Sequence, residues 1–329
     1  MNSEPLRLGS RKSPMAVSQS GDVAKLITER TGRRVEIVGV TTLGDVSREN
    51  LTQIGGTGVF VSALRESLLQ GEVDLAVHSL KDLPTGAARG ITLAAIPARD
   101  DPRDALIARD GAKLADLPAG ARIGTGSPRR AAQLTMLRSD LTCVPIRGNA
   151  GTRLAKVRDG ELDAVVLAYA GLARIGHTDL VSEIFEPDDM VPAPGQGALA
   201  VECRADNTEL AELLATIDHV PTRAAVTAER SLLAALEAGC SAPVGAYAIQ
   251  TAAERLRLDG VVLGVPEASF LPAPLDSPAV VGRMMIRERG EAESAAAAHL
   301  GRELAARMLA LGAAGLMLAE KTNGNDSDG

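Results

Sequence analysis

Two clusters in this chain combine residue types and spacing suited to gripping an anion. The first is I-G-T-G-S-P-R-R at 123–130. A strand ending in a Gly-bearing turn brings Ser127 to the cap of a helix and Pro128 to its first position, so Arg129 and Arg130 fall in the first turn. That end of a helix already carries partial positive charge, so each Arg there costs roughly a few tenths of a kcal/mol. An anion held by amides and guanidiniums together repairs the conflict; the plain alternative is that both Arg point to solvent. The second cluster is I-R-G-N-A-G-T-R at 146–153, where Arg147 leaves a strand and Arg153 begins the next helix. Arg174 follows another strand and turn in A-G-L-A-R. Strand ends of a parallel sheet face the ligand crevice, so these Arg are expected along one rim. With Arg11 and Ser13 of G-S-R-K-S-P, they point to a ligand bearing several carboxylates or phosphates.

In V-H-S-L-K-D-L-P at 77–84, Lys81 and Asp82 stand just past a buried strand. A carboxylate among cations stays ionised and is suited to stabilising a developing cation or moving a proton; a surface ion pair is the bland reading. His78 is expected as a packed histidine, because His78, His177, His219 and His299 form no metal spacing. Cys240 follows a Gly stop in E-A-G-C-S-A-P-V, where small neighbours leave room for a nucleophilic or covalently modified thiol. It equally fits a small buried hydrophobe. V-P-A-P-G-Q-G-A at 191–198 lacks the form of a dinucleotide or P-loop fingerprint and reads as a return crossover, with Gln196 able to donate to a ligand.

The elements that position these residues alternate. Strands are expected at 6–11, 35–42 and 73–78, with helices at 16–30 and 61–70 between them. The order repeats with strands at 121–124, 142–146 and 163–168 and helices starting at 128 and 152. Such alternation with apolar strands predicts a parallel sheet covered on both faces. G-E-V-D-L-A-V at 71–77 returns as G-E-L-D-A-V-V at 160–166, a trace of duplication or of a common helix–turn–strand grammar. From 221 the texture changes to a helix at 223–237, strands at 246–250, 255–263 and 280–287, and a helix at 291–311. The fold class is therefore α/β: two lobes with mixed, mainly parallel sheets, plus a smaller α+β C-terminal domain. The expected domains are a discontinuous first lobe, 1–97 and 198–215, a second lobe, 98–197, and a third domain, 216–319, with a disordered tail at 320–329. A ligand cleft is expected between the lobes.

Composition narrows the function. The chain has 329 residues, a net charge of −7, no Trp, 2 Tyr and 3 Phe. It offers neither the positive field nor the aromatic platforms of a nucleic-acid binder. Arg outnumbers Lys 29 to 6, in keeping with planar, two-pronged recognition of carboxylates. Three distant cysteines make no disulfide framework and imply a reducing compartment. Without a secretory segment or a long apolar run, a cytoplasmic protein away from the membrane is expected.

The motifs converge on a family. L-R-L-G-S-R-K-S-P, G-V-F-V-S-A-L, D-L-A-V-H-S-L-K-D-L-P, D-P-R-D-A, I-G-T-G-S-P-R-R, I-R-G-N-A-G-T-R, A-G-L-A-R-I-G, P-G-Q-G-A and A-E-R-S-L-L-A-A-L-E-A-G-C-S-A-P-V-G stand in one order along the chain. In these the chain resembles the porphobilinogen deaminases, or hydroxymethylbilane synthases. The resemblance implies periplasmic-binding-protein-like lobes and condensation of four porphobilinogen molecules, with loss of ammonia, into linear hydroxymethylbilane. It implies a dipyrromethane primer attached by a thioether to Cys240, with Asp82 as the catalytic carboxylate beside the azafulvene cation. Lys81, Ser127, Arg129 and Arg130 would hold the primer, together with Asp82. Arg11, Ser13, Gln19, Arg147, Arg153, Arg174 and Gln196 would bind substrate or the growing chain. A loop at 45–58, ending near Phe60, would be a lid whose ring covers a pyrrole. The expected partners are porphobilinogen and, as metabolic successor only, uroporphyrinogen-III synthase; a monomer with no metal is expected. A two-lobed dicarboxylate receptor is the rival, and a covalent pyrrole on Cys240 separates the two.

Overall fold

The computed structural model describes residues 4–40, 58–238, 242–264 and 285–318. Cys240 and the expected lid at 45–58, apart from its last residue, lie outside the described residues, as do the side chain of Phe60 and the tail. The chain forms two compact units, 1–100 with 197–223 and 101–196 with 224–329.

In the first unit, β1 (Leu6–Ser10) leads into α1 (Pro14–Thr31), then β2 (Val35–Gly39), α2 (Gly58–Leu69), β3 (Leu75–Ser79) and β4 (Ile91–Ala95). α1 starts where Ser13 accepts the amide of Ala16 at 3.3 Å and Pro14 fills the first turn. It stops at Gly32, whose φ of +70° suits a residue without a Cβ. In the second unit, β5 (Asp104–Ala108) precedes β6 (Arg122–Thr125), α3 (Pro128–Leu137), β7 (Thr142–Pro145), α4 (Ala150–Arg158), β8 (Ala164–Ala168), α5 (Tyr169–Arg174) and β9 (Glu183–Ile184). The chain then returns to the first unit as β10 (Leu199–Arg204) and α6 (Thr208–Ala215), with α7 (Val220–Ala235) following.

The two five-stranded sheets have the orders β2-β1-β3-β10-β4 and β7-β6-β8-β5-β9. Three neighbours run parallel in each, and the fourth strand, β10 or β5, is antiparallel to both its neighbours. The sheets are thus mixed α/β as expected, but with one reversed strand apiece. Both faces are covered. Leu106 and Val166 pack with Ile123 and Leu134, while Ile107 and Val165 pack on the other side with Val157 and Leu172.

The echo falls on equivalent strands. Asp74, just before β3, accepts the amide of Arg7 at 2.8 Å and donates its own amide to Arg7 O at 2.8 Å. Asp163, just before β8, does the same with Arg122, at 2.8 and 3.0 Å. Gly71 and Gly160 stop the preceding helices at φ of +71° and +79°. A shared sheet order and the same local bonds favour duplication over chance grammar.

The remainder of the second unit is a three-stranded antiparallel sheet of β11 (Val244–Ala252), β12 (Arg255–Leu263) and β13 (Met285–Glu293), with α8 (Ala297–Ala310) and α9 (Ala313–Leu318). Leu232 of α7 and Leu236, just past its end, pack with Leu258, Leu300 and Leu304. The expected helix at 291–311 starts later: residues up to Glu293 pair with β12, Arg255 opposite Glu293, so tertiary pairing overrides local helix preference.

Candidate functional site

In the first unit, β1 and β3 are parallel neighbours, Leu8 opposite Leu75, so the segments that leave them emerge at one edge of the sheet. Arg11 and Ser13 follow β1; Lys81 and Asp82 lie in a single 3-10 turn, Leu80–Asp82, after β3. The turn is held where Leu80 N donates to Ala198 O at 3.0 Å. Arg11, Ser13, Lys81 and Asp82 are half-buried, and Gln19, on α1, is buried. Ser13 spends an acceptor position on the helix cap, which leaves its O–H proton to donate. His78 is buried as expected, with Nε2 at 3.2 Å from a carboxylate oxygen of Glu202, which Arg65 of α2 also grips at 2.9 and 2.7 Å. Burial raises the pKa of Glu202, but the hydrogen bonds from Arg65 and the close approach of His78 outweigh it and hold the acid at about 2.

In the second unit the same logic gathers the arginines. β7, β6 and β8 are parallel neighbours, so Ser127, Arg129 and Arg130 after β6, Arg147 after β7 and Arg174 after β8 all follow strand ends on one edge. Ser127 caps α3, accepting the amide of Arg130 at 3.4 Å, with Pro128 in the first turn. α4 begins earlier than expected, at Ala150, because Asn149 accepts the amide of Thr152 at 2.9 Å; Arg153 therefore sits inside the helix, donating Nε to Gly148 O at 2.9 Å. Arg147 is exposed, and Arg174 is half-buried in the last turn of α5.

The anion that the arginine turn requires is present within the chain. Arg129 Nη2 donates to Asp104 Oδ2 at 2.8 Å, and Arg130 Nη2 donates to Asp104 Oδ1 at 2.7 Å. Asp104 opens β5, which runs antiparallel to β8 with Asp104 opposite Ala168, so its carboxylate sits at the edge where β8 ends. Neither Arg points to solvent: they are 2% and 6% exposed, and Asp104 is 0%. Burial alone would raise the Asp104 pKa, but the charges of Arg129 and Arg130 drive it far below the carboxylate range. The Nη1 groups of the pair reach backbone carbonyls, Arg129 Nη1 that of Val191 at 2.6 Å and Arg130 Nη1 that of Val166 at 3.1 Å. Arg129 Nε is buried with no hydrogen-bond partner among the described residues.

Gln196, expected to donate to a ligand, instead turns its amide inward to Pro102 O at 2.7 Å and Asp104 Oδ1 at 2.8 Å. The crossover that carries it is buried, and a buried amide must be bonded within the protein. Arg153 lies near enough to Arg130 that, after burial, the neighbouring positive charge is the cause that lowers its pKa. Two guanidiniums thus share one carboxylate with a third cation close by, a positive surplus that suits a polycarboxylate. Asp104 was not among the residues singled out from sequence; its signal, D-P-R-D-A ahead of an apolar run, marks a strand start and says nothing of its partner.

Residues 6–212 match the family described as porphobilinogen deaminase, dipyromethane cofactor binding domain, and 223–269 match porphobilinogen deaminase, C-terminal domain. A porphobilinogen deaminase of Thermobifida fusca is 59% identical, over 95% of this chain and 96% of that one. Porphobilinogen deaminase 1 of Streptomyces coelicolor is 58% identical over 96% and 98%. The porphobilinogen deaminase of Mycobacteroides abscessus is 50% identical over 95% and 99%.

Proposed function

The chain belongs to the porphobilinogen deaminase family, and from that premise we propose which of its side chains carry the reaction. It is a transferase of tetrapyrrole biosynthesis that condenses four porphobilinogen molecules, with loss of ammonia, into hydroxymethylbilane, using a dipyrromethane cofactor. When bound, that group supplies a pyrrole ring whose free α-carbon is the nucleophile.

The residues fit such a group by their donor chemistry. Each pyrrole carries an acetate and a propionate, and the double-arginine turn has more positive charge than Asp104 neutralises. That surplus is the observation that carries the assignment: Arg129 and Arg130, with Ser127 and Lys81, hold the cofactor's carboxylates. Arg11, Ser13, Gln19, Arg147, Arg153 and Arg174 bind substrate or the lengthening chain, and Cys240 is the point of attachment. Asp82 is the catalytic carboxylate. As the C–N bond of porphobilinogen breaks, the electron pair leaves with nitrogen as ammonia and the ring becomes cationic. A fixed carboxylate stabilises that charge and the second cationic stage, after carbon–carbon bond formation and before the proton leaves.

Among the described residues no helix is long and apolar enough to cross a membrane. We place the reaction in the cytoplasm and the enzyme as a monomer, with uroporphyrinogen-III synthase following it in metabolism rather than bound to it.

The test is intact mass. The purified enzyme is expected to carry the mass of two pyrrole units, and Cys240→Ser to lose both that mass and ammonia release from porphobilinogen. A bare thiol in an enzyme that turns over would overturn the attachment.

A further inference from the structure

The assignment of Arg129 and Arg130 leaves Asp104 without a role in the reaction, although it is fully buried and bonded to both. Among the described residues its carboxylate meets Arg129 Nη2 at 2.8 Å, Arg130 Nε and Nη2 at 3.0 and 2.7 Å, and Gln196 Nε2 at 2.8 Å. Two guanidiniums on adjacent residues repel each other and, left alone, swing apart on long flexible stems. One carboxylate bonded to both fixes their separation and the planes of their forks. It cancels only part of their charge, and Gln196 adds a bond without adding charge. A neutral amide in its place would accept from fewer donors and turn an N–H2 group toward a guanidinium.

We propose that Asp104 is a positioning residue: it holds Arg129 and Arg130 in the geometry that receives the ligand's carboxylates, while leaving them a net positive charge. This rests on the reading of the two arginines as carboxylate holders. Asp104 touches no reacting atom. Its effect passes through the arginines, where a displacement on the order of an ångström can cost about a hundredfold in rate.

The experiment compares Asp104→Asn, Asp104→Glu and Arg130→Gln as purified holoenzymes. It measures pyrrole content by intact mass, kcat and KM for porphobilinogen, and the melting temperature. Asp104→Asn is expected to lose about a hundredfold in kcat/KM at temperatures well below its melting point, with reduced pyrrole content. Asp104→Glu keeps the charge and moves it by one methylene. It is expected to recover to within about thirtyfold of the parent, with KM raised at least about threefold even where its melting temperature is no higher than that of Asp104→Asn. A purely structural role would instead make activity follow melting temperature. Asp104→Asn within twofold of the parent, or a folded Asp104→Glu no better than Asp104→Asn, overturns the proposal. Should Asp104→Asn fail to fold, Asp104→Glu decides alone, and an unchanged KM overturns it. Arg130→Gln with full pyrrole content and unchanged kcat/KM would instead refute the reading of the arginines.

Discussion

Asp82 and Asp104 are carboxylates in opposite settings. Asp82 ends a single turn, half-buried, with Lys81 beside it in the chain. Asp104 is sealed between two guanidiniums. Only the first has the access that chemistry on a substrate demands, so Asp82→Asn is expected to lower kcat by roughly a hundredfold or more while the dipyrromethane stays attached. Product formation and intact mass on the same sample check it; full turnover would remove Asp82 from the role. The sequence showed that the arginine turn violates the helix dipole and needs an anion, because both facts are local. It could not show that the chain itself brings one, since Asp104 precedes Arg129 by a strand, two short turns and a second strand. Long-range register, Asp104 opposite Ala168, closes that gap.

Helices announced themselves through their ends. Ser13 with Pro14 and Ser127 with Pro128 are readable because a cap and its first turn are adjacent in the chain. β4, β5, β9 and β10 were not read: β9 has two residues, β5 opens with an acid, and β10, L-A-V-E-C-R, buries a glutamate where alternation predicts nothing charged. That glutamate is the joint of the first unit. Glu202 on β10 accepts two bonds from Arg65 on α2 and faces His78 on β3, tying the helix to the strand that leads into Lys81 and Asp82. Its pKa in the folded protein is about 2 against an ordinary 4.5, so the sign is fixed: its stabilisation is complete above pH 4.5 and is lost as pH falls through about 2. Relative to Glu202→Gln, the parent is expected to be more stable by about 3 kcal/mol at pH 6 and by less than about half of that at pH 3. Urea titrations of both proteins at the two pH values measure the difference. A gap independent of pH would mean that the carboxylate contributes through shape alone.

At the scale of the whole molecule, duplication explains why chemistry appears at strand ends in both units. Each repeat delivers a β-turn-Ser-Pro-helix start, Ser13-Pro14 or Ser127-Pro128, at the edge where its parallel strands finish. Each fixes its central strand with an aspartate placed just before the third. Evolution of the turns then diverged: Arg129 and Arg130 follow the second Pro, whereas Met15 and Ala16 follow the first. If Asp74 and Asp163 are equivalent keystones of separate sheets, Asp74→Asn and Asp163→Asn should each weaken local structure by about 1 kcal/mol, the worth of a typical intramolecular hydrogen bond. Each should act only in its own unit, and the double variant should show the sum of the two effects, since the sites share no partner. Amide exchange followed by mass spectrometry resolves this strand by strand. Faster exchange confined to 6–10 and 75–79 for the first variant, and to 122–125 and 164–168 for the second, is the expected pattern. Exchange that rises in both sheets from either single change would show that the two repeats unfold as one cooperative body, and the keystones would then be neither local nor independent.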